Sequence, residues 1–411
     1  IIVKIFSQTW RFKNCQKLKR IEIPSSVTSI GSSAFQGCSS IEQIIMPSTV
    51  NSFGDFAFYG CSSLKEILIP AGVASIPYCA FQECTSLKEI TIPPSVTSIG
   101  ICSFRECTSL AHISIPSSVE SIGKWAFYEC SELTEISIPE NVTTVGDCTF
   151  YNCTLLERVT FHSPITSIGK YAFYSCSLLS KLTIPSTTIL IKNCAFHSCI
   201  SLTDISIPPS VTSINSYVFS KCSSLSHVTI PSSVIEIGSY AFEGCCSLKQ
   251  ISIPSSVRRI CGAAFFECTG LEQVAIPESI EEIENSTFHK CSSLKEIIIP
   301  SSVSSIGNYA FSGCSSLERI SIPSSVTKIG DYAFNECPSL LQLEIPSSVT
   351  SIGDSAFSNC LSLKQMTIPP SVIEIGEFIF EGCDALTQIT IPSYLNETNI
   401  GIAPNVNVIK T

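Results

Sequence analysis

The chain has 411 residues, 44% of them apolar and only 14% charged, with a net charge of −10. The basic density that holds nucleic acid is missing, and no apolar run reaches the roughly 18 residues needed to span a membrane. Length alone suggests two or three domains, but one unbroken internal period overrides that prior.

Residues 1–9 lie outside the period and read as an irregular N-terminal segment or cap. The apolar run from Ile1 to Phe6 is too short for a signal peptide and lacks a clear cleavage site. The missing initiator Met fits a fragment or a processed product. From there the pattern is strict. Seventeen cysteines, from Cys15 to Cys383, stand 23 residues apart over 16 intervals, each preceded by a Phe three residues earlier. Such self-similarity marks a solenoid whose units bury their apolar faces only against one another. Residues 10–395 are therefore predicted to form one repeat solenoid, of about 17 repeats of 23 residues.

One unit, read from Cys314 to Cys337, gives the predicted elements in order. Ile320 and Ile322 alternate with polar neighbours and predict a short strand with one buried face. Pro323 has no N–H to donate and ends it, and two serines turn the chain. Val326 and Ile329 predict a short second strand. Gly330 is expected to take a positive φ at the next corner. Ala333, Phe334, Cys337 and Leu340 predict a short helical or 3₁₀ turn on the other side. Stacked in register, the first strands would make a parallel sheet roughly 77 Å long, with the stack curving so that the sheet is concave.

Departures from the unit follow along the chain. Pro77, Lys192, Asn215, Cys261 and Glu284 replace the corner Gly, His162 replaces the strand-ending Pro, and the stretch Thr188 to Lys192 is expected to bulge. The 17 phased cysteines read as a buried ladder of reduced thiols: in-register side chains roughly 4.8 Å apart lie beyond the usual Cβ separation of a disulfide. Among the six cysteines off that column, Cys79 and Cys102 occupy adjacent units at a place expected to be more exposed, and are the candidate pair for a disulfide. Cys194, His197 and Cys199 have a spacing suggestive of metal ligands. Cys199 belongs to the buried column, however, and a fourth ligand is not evident, so no metal is expected. Arg258 and Arg259 align with Glu281 and Glu282 of the next unit as a charge ladder. Four Asn-x-Ser/Thr sequons, at Asn141, Asn152, Asn285 and Asn396, fit a secretory route. Residues 396–411 lose the pattern and read as a C-terminal cap or tail.

No phosphate-cradling Gly-rich loop, His-Glu-x-x-His or Gly-x-Ser-x-Gly motif is present. The five histidines are scattered, His112 and His227 lying five units apart. The chain is expected to be no enzyme and to carry no cofactor. Two surfaces recur instead. On the sheet face, a mixed polar column runs from Arg20 through His112 and Arg158 to Gln250. A second column is mostly hydroxyl, from Thr91 to Ser252, and suits an extended protein or a glycan. Around the Ala-Phe turn, Trp125, Tyr128, Tyr151, Tyr171 and Tyr174 gather in three consecutive units, and such amphipathic rings are typical binding anchors. Tyr217, Tyr240, Tyr309 and Tyr332 continue one column more sparsely. The opposing reading has these rings only covering the gaps between turns.

The pattern Leu-x-x-Ile-x-Ile-Pro followed by Val-x-x-Ile-Gly-x-x-Ala-Phe-x-x-Cys resembles the leucine-rich repeat subclass of the BspA-like surface antigens, found in bacteria and in parasitic or commensal protists. The resemblance spans residues 10–395. It implies a leucine-rich-repeat horseshoe with a parallel concave β-sheet, and a monomeric cell-surface or secreted adhesin. Its partners would be extracellular-matrix or host-surface proteins, or a glycan. The alternative is an intracellular, cytoplasmic interaction scaffold, suggested by the lack of a visible signal, anchor or necessary disulfide.

Overall fold

The computed structural model describes residues 12–395, 397 and 399–411. Residues 1–9 and Asn396 lie outside them. The chain divides into two compact units, Ile1–Leu202 and Thr203–Thr411. Each is a stack of coils carrying parallel strands paired at an offset of one repeat.

In the first unit, Glu89–Thr91 pairs with His112–Ser114, and Glu135–Ile138 with Arg158–Phe161. The second strands form their own ladders, such as Ser75–Ile76, Ser98–Ile99 and Ser121–Ile122. In the second unit, Glu282–Ile283, Ser305–Ile306, Lys328–Ile329, Ser351–Ile352 and Glu374–Ile375 form one five-stranded parallel ladder. Near the end, Asn407–Lys410 adds to Gln388–Ile391 across a shorter coil. The alternation along first strands such as Glu89–Thr91 and His227–Thr229 buries the central Ile or Val and exposes its neighbours, as a period of two requires.

Proline ends the strands as expected, and where His162 stands instead the strand likewise stops one residue earlier, at Phe161. The His162 N–H donates to the Ile138 carbonyl (3.0 Å). The serines after the Pro tie coils together: Ser118 Oγ donates to Val96 O (2.7 Å) and Ser95 Oγ to Val73 O (2.6 Å). The stretch Thr188 to Lys192 does not bulge. Leu190–Ile191 pairs in register with Ser167–Ile168, because backbone bonds hold the register whatever side chains the segment carries.

Two expectations about the turns are corrected. The first is the helical or 3₁₀ turn. The described residues contain no helix. Around Phe127, alternate N–H groups serve different partners. Ala126, Tyr128 and Cys130 donate three residues back, whereas Trp125, Phe127 and Glu129 donate to Asp147, Thr149 and Tyr151 of the next coil (3.1, 3.0 and 2.7 Å). Trp125 and Glu129 are both left-handed (φ 56° and 57°), and two such residues within five prevent a helix from propagating.

The second correction concerns the corner Gly, which is not left-handed. It is needed because the preceding coil passes too close: a Cβ on Gly123 would stand 2.4 Å from Ile101 N and 2.6 Å from Gly100 C. The positive φ falls two residues later, on Trp125, and again just before each phased Cys, on Glu83, Glu106 or Gly313.

The core is a file of phenylalanines. Phe127, Phe150 and Phe173 are fully buried, with ring centroids 5.5 and 5.3 Å apart and planes within 13°. From Cys38 onward the phased thiols donate to the carbonyl of the Phe in the coil before, as Cys153 Sγ does to Phe127 O (3.1 Å) and Cys176 Sγ to Phe150 O (3.2 Å). The column thus fills apolar space while offering one weak donor per coil. Cys79 and Cys102, expected at a more exposed place, are buried at 2% and 7% exposure, being small side chains in a column where the larger Trp125 stays 36% exposed.

Candidate recognition surfaces

In the first unit the turn following each Phe sets one side chain beside its counterpart in the next coil. Tyr128, Tyr151 and Tyr174 occupy that place in succession. Their rings stack at 4.7 and 4.6 Å with planes within 7°, all half-buried. The row has defined ends. The Arg105 guanidinium lies 4.8 Å over the Tyr128 ring and is held by Glu106, whose Oε1 accepts from Nε (3.0 Å) and pairs with a terminal guanidinium nitrogen (2.9 Å). At the other end His197 stacks on Tyr174 (4.7 Å, 9°). Tyr171 meets this row edge-on, 6.4 Å from Tyr151 and 5.7 Å from Tyr174, with the Lys170 ammonium 4.8 Å over its ring. Trp125 stands apart, 36% exposed.

Four of the five sequence-selected aromatics thus come together, and Trp125 makes no ring contact with them among the described residues. Sequence reasoning missed Arg105 and His197, although both lie in the Tyr column at the same 23-residue step. Burial and the neighbouring Glu129 carboxylate push the Tyr128 phenol up to about 12, and burial beside Tyr174 raises that of Tyr151. The Tyr128 and Tyr151 phenols are therefore neutral at physiological pH. The ring faces are spent on one another, so a partner meets edges and hydroxyls: a rigid apolar strip with regularly spaced donors and acceptors.

On the sheet face, the outer residues are exposed as the alternation predicts. The hydroxyl column is interrupted, however, by Leu68 and Ile298, exposed at 72% and 78%; both were missed because the column was followed only from Thr91 to Ser252. The charge ladder is differently wired from the alignment of Arg259 with Glu282. Arg259 Nε instead bonds Glu284 Oε1 at 2.7 Å. As for Cys194, His197 and Cys199, the Cys199 thiol donates to Phe173 O (3.1 Å) while His197 stacks on Tyr174. Among the described residues no three His, Cys, Asp or Glu side chains converge to hold a metal, and no helix is long and apolar enough to cross a membrane.

The sequence pattern described as the BspA type leucine rich repeat region matches residues 7–132, 75–203, 189–318 and 281–402. A leucine-rich repeat protein from Bacteroides ovatus of known structure is 30% identical, the likeness covering 96% of this chain and 92% of that one with a TM-score of 0.62. A leucine rich cell surface protein from Faecalibacterium prausnitzii is 29% identical over 84% of this chain and 87% of its own, with a TM-score of 0.45. No curated protein matches the chain.

Proposed function

This chain belongs to the BspA-type leucine-rich repeat family, and from that premise we propose that it is a recognition scaffold without catalytic function, displayed at a cell surface or secreted. Its partner is a protein of a host or neighbouring cell, bound along the strip of Trp125, Tyr128, Tyr151, Tyr171 and Tyr174. The observation that carries this reading is the stacked row itself. Three tyrosines fixed by ring stacking, with a guanidinium at one end, lose little side-chain freedom when a partner docks, which removes a main cost of association.

The thiols favour a second reading. A column of cysteines that serve as hydrogen-bond donors suits a reducing compartment, where the chain would be an intracellular interaction scaffold. Labelling intact cells with a membrane-impermeant biotin reagent separates the two. The surface reading expects the exposed lysines to be modified before lysis; protection until the cells are broken favours the scaffold.

A further inference from the structure

The second unit carries an aromatic column of its own, and that column has a gap. Tyr217 and Tyr240 stack at 4.8 Å, as do Tyr309 and Tyr332. Between the pairs the same place is held by Ala263 and Ser286. The aromatic row continues by stepping sideways: Tyr240 meets Phe266 edge-on (6.2 Å), Phe266 stacks with His289 (5.1 Å), and His289 meets Tyr309 edge-on (5.9 Å). The vacated column leaves a cavity of ≈ 440 Å³, walled by Tyr240, floored by Ala263 and Ser286, and rimmed by Arg259, Glu282 and Glu284. That volume lies within the range of about 300–1,000 Å³ usual for ligand sites.

The backbone explains why the cavity is open. Glu284 stands where the corner Gly should be, and its carboxylate accepts from Gly262 N (2.8 Å) and Arg259 Nε (2.7 Å). The second-strand ladder is interrupted at this point, between Arg259–Ile260 and Glu282–Ile283. Glu284 is thereby neutralised by Arg259, while Glu282, exposed at the rim, makes no ion pair among the described residues.

We propose that this notch binds an arginine side chain of a partner polypeptide, the guanidinium lying on the open face of Tyr240 and pairing with Glu282. A tyrosine face beside an unpaired carboxylate calls for a group that is both planar and cationic. Arginine is that group; lysine lacks the plane, and an aromatic ring lacks the charge. The first unit already contains the finished arrangement, with Arg105 on Tyr128 and held by Glu106. The notch supplies the ring and the acid and leaves the guanidinium to come from outside, to a chain whose net charge is −10.

The test is calorimetric titration of the full chain with acetyl-Gly-Arg-Gly-amide and with its Lys and Phe counterparts. The Arg peptide binds saturably and the Lys peptide at least about tenfold more weakly. Ala263→Tyr abolishes binding by refilling the column. That variant keeps the fold: Ala263 has the left-handed backbone of Tyr240 and Tyr309, and Tyr171 with Tyr174 shows both aromatic places filled in one coil. Glu282→Gln, on an exposed position, weakens binding by about fivefold or more; should Ala263→Tyr fail to fold, this variant decides. Binding unchanged in either folded variant, no binding of the Arg peptide, or a Phe peptide that binds equally well would overturn the proposal. These residues lie in the second unit, so the outcome is independent of the tyrosine strip in the first.

Discussion

Phe150→Ala should destabilise the unit ending at Leu202 by about 3–5 kcal/mol. The ring is fully buried and sandwiched between Phe127 and Phe173. Its loss therefore removes the transfer energy of a whole aromatic side chain and opens a cavity that neighbouring coils, fixed by their own ladders, cannot close. In a stack stabilised by nearest-neighbour interfaces, one such gap weakens two interfaces at once. Urea unfolding of the full chain, followed by hydrogen exchange, should show the loss concentrated in the first unit. A change below about 1 kcal/mol, the level of an ordinary surface substitution, would mean that the phenylalanine file is not the core.

The second large effect is alkaline unfolding. In the first unit, Cys38, Cys61, Cys84, Cys107, Cys130, Cys153 and Cys176 are all buried. Burial holds their thiols above the ordinary value of 9.0, with Cys38 pushed up to about 11. A folded pKa above the unfolded one gives stability that is whole below pH 9 and lost as pH rises toward the folded value. At pH 10 each thiol, still protonated in the native state, withdraws about 1.4 kcal/mol. These withdrawals add over the column, against a typical total stability of about 5–15 kcal/mol. Thermal melts between pH 7 and pH 10.5 should therefore fall steeply above pH 9, and Cys130→Ala should shallow the slope by about one proton. A midpoint unchanged through pH 10.5 would contradict the protonated thiol column.

How far such features could be read from sequence depended on whether side chains or backbone carried them. Ile320, Ile322, Pro323 and Val326 announce strand, stop and turn through alternation and a missing N–H, and the constant 23-residue step dictates parallel register. The turn around Phe127 was misread because apolar spacing suits a helix equally well. What forbids one is a left-handed backbone on Trp125 and Glu129, residue types with no preference for it. The corner Gly, read at Gly330, drew attention for its conformational freedom, yet its role is to make room for the preceding coil: at Gly123 a Cβ would stand 2.4 Å from Ile101 N, a closeness that only neighbouring coils create. At the aromatic strip, residue type pointed to the tyrosines, but Arg105 and His197 became visible only as the ends of a stacked row. The notch at Ala263 is the hardest case, since its signal is two rings missing from a column.

The most direct test of recognition through this strip is a paired measurement on Tyr128→Ser/Tyr151→Ser: affinity for the protein partner that the unmodified chain captures from a cell-surface extract, and melting temperature. Removing two central aromatic anchors should weaken binding by at least about 1–2 kcal/mol, roughly five- to thirtyfold, while the half-buried stack costs the fold little. A lowered melting temperature with unchanged affinity would contradict the account, leaving the tyrosines as covers over the gaps between coils and moving recognition to the hydroxyl-rich sheet face.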